Sequence, residues 1–241
     1  MGNYSFTEEN YRDILMQTKK RYKFVDYVSD LTAKDVVLWR HDVDFTPHRA
    51  LALAKIEKEL DIKSTFFIQI SSNFYNLFES EIKDIFYNIF DLGHDIGLHF
   101  DSTLYDIQCL DDFTLWLQYE KDILEGFFDK KVEVFSFHNP TVEILKYNDF
   151  KYIDMVNTYS SEIKEGFKYC SDSNGYWRFD KLDDVVSDNH ERLHILTHPI
   201  WWQGEFMSPR SKVLRCIELR AKKQEIFYDN LLKINGRVNV K

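Results

Sequence analysis

Cysteine is scarce in this chain of 241 residues: Cys109, Cys170 and Cys216 lie far apart, are odd in number and form no Cys-x-x-Cys pair. That pattern indicates neither a disulfide framework nor a thiolate zinc site, and it predicts reduced, mostly buried thiols. Long apolar runs are missing too. No stretch approaches the roughly 18 to 20 apolar residues of a membrane span, and Met1 to Asp13 carries acids and no apolar signal core. Phe6 stands where a myristoylation signal needs Ser or Thr. The expectation is a cytoplasmic protein with no membrane span. Basic charge is not in excess either: 31 basic against 40 acidic residues leave a net charge of −9, which argues against a generic nucleic-acid surface and against an anchor on anionic lipid. Gly-rich phosphate loops, His-Glu-x-x-His, internal repeats and low-complexity linkers are likewise absent.

What is present is alternation. A hydrophobic content of 44% and no linker predict one domain over residues 1–241, with an N-terminal capping helix within 1–30 and a C-terminal helix within 208–235. Helical periodicity runs from Glu8 to Phe24, with Tyr11, Ile14, Leu15 and Tyr22 on one face. A strand at Val36 to Arg40 precedes a helix from Pro47 to Leu60, which Thr46 can cap and Pro47 can open. Further strands are expected at Ser64 to Ile70, Asp95 to Phe100, Val132 to Phe137, Met155 to Thr158, Tyr169 to Asp172 and Leu193 to Thr197. Helices are expected at Glu79 to Leu92, stopped by Gly93, then at Leu110 to Phe128, Thr141 to Tyr147 and Pro209 to Leu232. Such alternation is the signature of an α/β fold with a parallel sheet, closed or nearly closed, and active groups at the strands' carboxyl edge.

Several strand ends carry chemistry. Arg40-His41-Asp42-Val43-Asp44 ends the first, Leu98-His99-Phe100-Asp101 another, Phe137-His138-Asn139 a third and Leu196-Thr197-His198 a fourth. Asp42 and Asp44 are two apart, so in an extended chain they share a side, where two carboxylates repel unless a cation or proton relieves them. A solvated turn is the competing reading. His41 reads as a helper that packs or hydrogen-bonds behind the strand, and His94 as structural. His99, His138 and His198 each read as a ligand or as a hydrogen-bonded structural residue. Ser171 to Trp177 is a polar turn in which Asp172 is suited to orient a histidine and Trp177 to line a pocket. Trp201 and Trp202 could stack on a sugar or cover the barrel end.

These segments, in this order between Val36 and Trp202, resemble the polysaccharide deacetylase superfamily, the NodB-homology or family 4 carbohydrate esterases. The resemblance implies a distorted (β/α) barrel of about seven parallel strands. It places Asp42 as base and Asp44 as metal ligand, with Val43 inserted between them and the two roles open to exchange. It also gives the first metal histidine as His99. Thr103 stands where the family's second metal histidine would fall, leaving His138 or Asp101 to complete the set, His138 being favoured because it restores an imidazole. The family's arginine that steadies the base is missing from Phe135 to Thr141, so Arg40 or Arg178 is the available replacement. His198 takes the general-acid position with Asp172 orienting it.

The resemblance implies metal-dependent hydrolysis, with zinc foremost and iron or cobalt as alternatives, of an N-acetyl or N-formyl group on a carbohydrate. The expected partner is a small carbohydrate precursor of surface polysaccharide, nucleotide-linked or otherwise activated. Asp101, Asn139, Trp177, Arg178, Trp201 and Trp202 are the expected substrate contacts, and the backbone from Asn139 to Thr141 is expected to supply an oxyanion donor. Two further readings stand beside this one: a catalytically silent carbohydrate-binding protein on the same barrel, and a hydrolase of a non-sugar amide.

Overall fold

A computed structural model describes residues 6–177 and 179–240. The strands are β1 (Lys23–Val25), β2 (Val36–Val43), β3 (Thr65–Ile68), β4 (Asp95–Phe100), β5 (Val134–Phe137), β6 (Lys151–Tyr152), β7 (Met155–Asn157), β8 (Lys168–Ser171) and β9 (Arg192–Thr197). The helices are α1 (Glu8–Lys19), α2 (Pro47–Glu59), α3 (Ser80–Asp91), α4 (Leu110–Phe128), α5 (Ser161–Gly166), α6 (Leu182–Ser187) and α7 (Pro209–Ile234). They build one curled α/β sheet in the order β6-β7-β5-β4-β3-β2-β9-β8. Every pairing is parallel except β6 with β7, and β1 runs beside the first half of β2 before β3 takes over that edge. Seven parallel strands therefore lie along the main path, as a half-barrel whose edge strands are β6 and β8.

The alternation of side chains along a strand divides the sheet into a lumen and an outer wall. On β2, Val37, Trp39 and Val43 face outward into two clusters under the helices, while Val36 and Leu38 face inward. Phe67, Val134 and Val156 join them and fill the closed end of the lumen. Above that plug the inward positions of β2 become Arg40 and Asp42, both buried. Gly97 makes room at this level, since a Cβ there would lie 2.5 Å from the Phe67 ring.

Several boundaries differ from the sequence expectation. β2 continues to Val43 rather than stopping at Arg40, because the charged residues sit inside a parallel sheet paired on both edges. The first helix ends at Lys19, and Phe24 belongs to β1. Thr46 begins α2 without a side-chain capping bond, and only a single tight turn, Ile144–Lys146, forms within Thr141 to Tyr147. Among the described residues no helix is long and apolar enough to cross a membrane.

Candidate active site

Four strand ends, two on each side of β3, bring the chemistry together at the open end of the lumen. β2 delivers Asp42 and, one residue past its end, Asp44; β4 delivers His99; His138 and His198 directly follow β5 and β9. The tightest group is Asp44, His99 and His138, whose ligand atoms all lie within 4.8 Å of one another. Nε2 of His99 is 3.0 Å and Nδ1 of His138 is 3.4 Å from Oδ1 of Asp44, and the two nitrogens are 3.2 Å apart. Ligands placed tetrahedrally at the zinc–ligand bond length of about 2.0–2.1 Å are separated by about 3.3–3.4 Å. The triangle therefore has the size of one face of a zinc coordination sphere. Oδ1 of Asp44 is buried and lacks a hydrogen bond among the described residues, which a cation facing it would remedy.

Neighbouring groups aim the imidazoles. Nδ1 of His99 is 2.7 Å from the Ser136 hydroxyl on the adjacent strand, so an Nδ1–H donating there leaves the Nε2 lone pair toward Asp44. Nε2 of His138 lies 2.9 Å from the Asn139 amide; with the amide oxygen turned to accept, the Nδ1 lone pair faces the same carboxylate. Asn139 itself turns the chain at φ 41°, a left-handed conformation that Asn tolerates. Without a cation between them, Nε2 of His99 and Nδ1 of His138 instead carry protons toward Asp44: burial alone would raise its carboxyl, but the hydrogen bonds of His138 and His99 outweigh it and hold it well below the usual carboxylate range. Burial would lower His138, and the Asp44 charge reverses that and raises it.

Two further groups flank the triangle. Oδ2 of Asp42 is 3.8 Å from Nε2 of His99 and 3.3 Å from the Arg40 guanidinium, while Oδ1 is buried without a partner among the described residues. Arg40 is itself buried, donates to the Thr158 hydroxyl at 2.6 Å and lies over the rings of Phe67 and Tyr159. From the end of the neighbouring strand β9, Nε2 of His198 is 3.8 Å from Oδ2 of Asp44. Its Nδ1 is 2.7 Å from Asp172, which also accepts the His198 backbone N–H at 3.0 Å and the Trp202 indole N–H at 2.8 Å. Burial would lower His198; the hydrogen bond and charge of Asp172, joined by Asp44, overcome that and push it up to about 9.

Not every expected residue reaches the site in its expected role. Asp101 lies outside the ligand triangle: it accepts the backbone N–H and hydroxyl of Thr103 at 3.0 and 2.6 Å, and Gln69 donates to its other oxygen at 3.3 Å. The residue at the family's histidine position thus binds the side chain considered as a substitute ligand. Trp201 and Trp202 are buried in the outer cluster, which leaves neither ring a face for a sugar; Trp202 instead supports Asp172. Trp177 is half-buried against Phe6 and Trp202. Arg178 lies outside the described residues.

The sequence reading passed over Glu57. This buried α2 carboxylate accepts from the Tyr11 hydroxyl, approaches Nε2 of His41 at 2.7 Å and accepts the Ser64 hydroxyl at 2.6 Å. His41 faces outward to this network, with its other nitrogen 2.8 Å from Thr197, so it does pack behind the strand as expected. His94 is structural as well, bonded to the Ala54 carbonyl at 3.0 Å and close to Ser64. An acid on the core stripe of α2, in line with Ala50, Leu53 and Ala54, was the available signal.

No protein-family model matches the chain, and no curated protein matches it. Among solved structures the chain is similar to a CE4 family pseudoenzyme from Bacillus anthracis, at 19% identity and a TM-score of 0.42, over 79% of this chain and 62% of that one. It is also similar to a peptidoglycan deacetylase from Bacillus subtilis, at 15% identity and TM-score 0.43, over 85% of this chain and 96% of the other. A chitin deacetylase from Colletotrichum lindemuthianum gives 14% identity and TM-score 0.45, over 78% of this chain and 83% of that one. The chain spans less than two thirds of the length of the pseudoenzyme it matches.

Proposed function

We propose that this chain is a divergent polysaccharide-deacetylase-type hydrolase that removes an N-acyl group from a carbohydrate. The observation that carries the reading is the convergence of Asp44, His99 and His138 within 4.8 Å, flanked by the paired carboxylate Asp42 and the Asp172-held His198. One carboxylate and two imidazoles suit zinc, with iron and cobalt as alternatives. A divalent ion held by these three residues would supply Lewis-acid polarisation of an acyl carbonyl and would acidify water.

The remaining chemistry belongs to the chain. Asp42 accepts a proton from the attacking water, and Arg40 at 3.3 Å supplies a fixed cation that keeps the carboxylate in place as a base. Asp172 holds the Nδ1–H of His198 and so favours the doubly protonated ring, whose Nε2–H goes to the leaving nitrogen as the C–N bond breaks, so that water and amide become a carboxylic acid and an amine. Base and acid flank the ligand triangle from different strands, β2 and β9, as addition to one side of a carbonyl and departure of the amine require. The substrate class proposed is an N-acetylated or N-formylated amino sugar, free or nucleotide-linked.

The test is release of acetate or formate from a panel of such sugars by the zinc-loaded chain, with Asp44→Ala as control. Acid release that depends on added metal and is lost in Asp44→Ala supports the proposal; metal-independent release contradicts it. Protein that takes up no metal and binds sugars without releasing acid would instead be a carbohydrate binder.

A further inference from the structure

Behind the turn that follows Asp44, on the outer side of the sheet, lies a cavity of about 360 Å³ between the start of α2, the segment around Phe74 and the first half of α7. Its wall is apolar, built from Phe45, Phe74, Ile82, Ile200 and Leu219. Its charged lining has one sign. Arg49, Lys212, Arg215, Arg220 and Lys223 all border it, and no aspartate or glutamate does so among the described residues, in a chain of net charge −9.

Four of these five cations are matched by acids set outside the cavity: Arg49 by Glu8, Arg215 by Glu205, Arg220 by Glu79 and Lys223 by Glu81. Lys212 is different. It is only 2% exposed, its ammonium donates to the carbonyl oxygens of Trp201 at 2.5 Å and Phe6 at 3.5 Å, and no carboxylate pairs with it among the described residues. An ammonium has three donors, of which the two carbonyls take two, and it also lies 5.3 Å from the centroid of the Phe6 ring. Of the carboxylates only the more distant Asp172 acts on it among the described residues, so a cation this buried stays costly, and an anion brought into contact offsets that cost. The cavity thus offers apolar area and a cationic lining that includes a buried ammonium with no carboxylate in contact among the described residues, at a volume within the range of small-molecule sites.

We propose that this cavity binds an amphiphilic anion, its apolar chain against the wall of Phe45, Phe74 and Leu219 and its single carboxylate or phosphate head on the Lys212 ammonium. Burial lowers Lys212 to about 8, so the head group meets a charged lysine at neutral pH. The site is separate from the ligand triangle, yet its wall residues Phe45 and Ile200 follow Asp44 and His198 by one and two positions.

The test is calorimetric titration of the full chain with decanoate, decyl phosphate and the neutral isostere decanol. Saturable binding of one anion per chain, at least tenfold tighter than decanol, is expected, since a charge-assisted hydrogen bond contributes about that factor. The stronger of the two anions identifies the head group. Lys212→Met keeps the aliphatic stem and should remove the anion preference while leaving decanol binding within about threefold. Leu219→Glu, at an exposed helix position, places a carboxylate on the wall and should weaken both anions if Lys212→Met fails to fold. Equal affinity for decanol and the anions, unchanged anion binding in both variants, or no saturable binding overturns the proposal.

Discussion

Asp172→Asn tests the link between the Asp172 carboxylate and the proton on His198 with almost no change of shape. The native carboxylate accepts four hydrogen bonds: His198 Nδ1–H at 2.7 Å, the His198 backbone N–H at both oxygens at 3.0 Å, and the Trp202 indole at 2.8 Å. An amide removes the charge and presents an N–H₂ to at least one of these donors. His198 is held at about 9 against an ordinary 6.5, a difference worth about 3 kcal/mol. Without the Asp172 charge, burial is opposed mainly by Asp44, so the value falls back toward 6.5 or below. At pH 7.5 the protonated fraction then drops from about 97% to about 9%, a loss of about tenfold in competent acid. The sign follows for activity and for stability. A raised histidine stabilises the fold fully below pH 6.5, and that contribution is lost as pH rises through about 9. The upper limb of the rate profile should likewise fall near 9 in the native chain and about two and a half units lower, or more, in the variant. The assay is an NMR titration of the His198 ring in the metal-free chain, assigned by comparison with His198→Gln and accompanied by far-UV circular dichroism. An unchanged His198 titration in a folded Asp172→Asn chain would refute the reasoning.

Other consequences can be measured on the chain alone. Zinc at about a thousand times its dissociation constant should stabilise the native chain by about 4 kcal/mol in thermal denaturation, and His138→Ala should abolish the gain. Gly97→Ala should cost about 1–3 kcal/mol in urea unfolding, because its Cβ would lie 2.5 Å from the buried Phe67 ring; no change would contradict the lumen packing. Glu57→Gln should destabilise by about 3 kcal/mol, since one carboxylate serves Tyr11, His41 and Ser64 in a dry interior. Wild-type stability in that variant would mean the network is not formed.

The parallel architecture was legible where the local pattern and the tertiary environment agreed. Asp95 to Phe100 and Leu110 to Phe128 form the elements their periodicity predicts, with those boundaries. β2 read as too short because His41 and Asp42 look like surface residues; the sheet that buries them is made with strands distant in sequence. The short β1, α5 and α6 left no periodic signal, being three to six residues long and held by tertiary contacts. The spacing of Asp42 and Asp44 and the strand-end histidines pointed to a shared edge, but only the fold separates His138 from Asp101. The two share neither strand nor partners, and Asp101 is occupied by the turn it caps. The adjacent tryptophans misled because a loop can be buried: α7 and α1 cover Trp201 and Trp202, turning an apparent sugar platform into a support for Asp172.

The central claim is that Asp44, His99 and His138 form one metal centre. An anomalous difference map at the zinc edge, from crystals of the zinc-loaded chain, tests it most directly. A single strong peak is expected within bonding distance of Asp44 Oδ1, His99 Nε2 and His138 Nδ1, absent from crystals of Asp44→Asn. A peak bound elsewhere, or one that persists in Asp44→Asn, would contradict it.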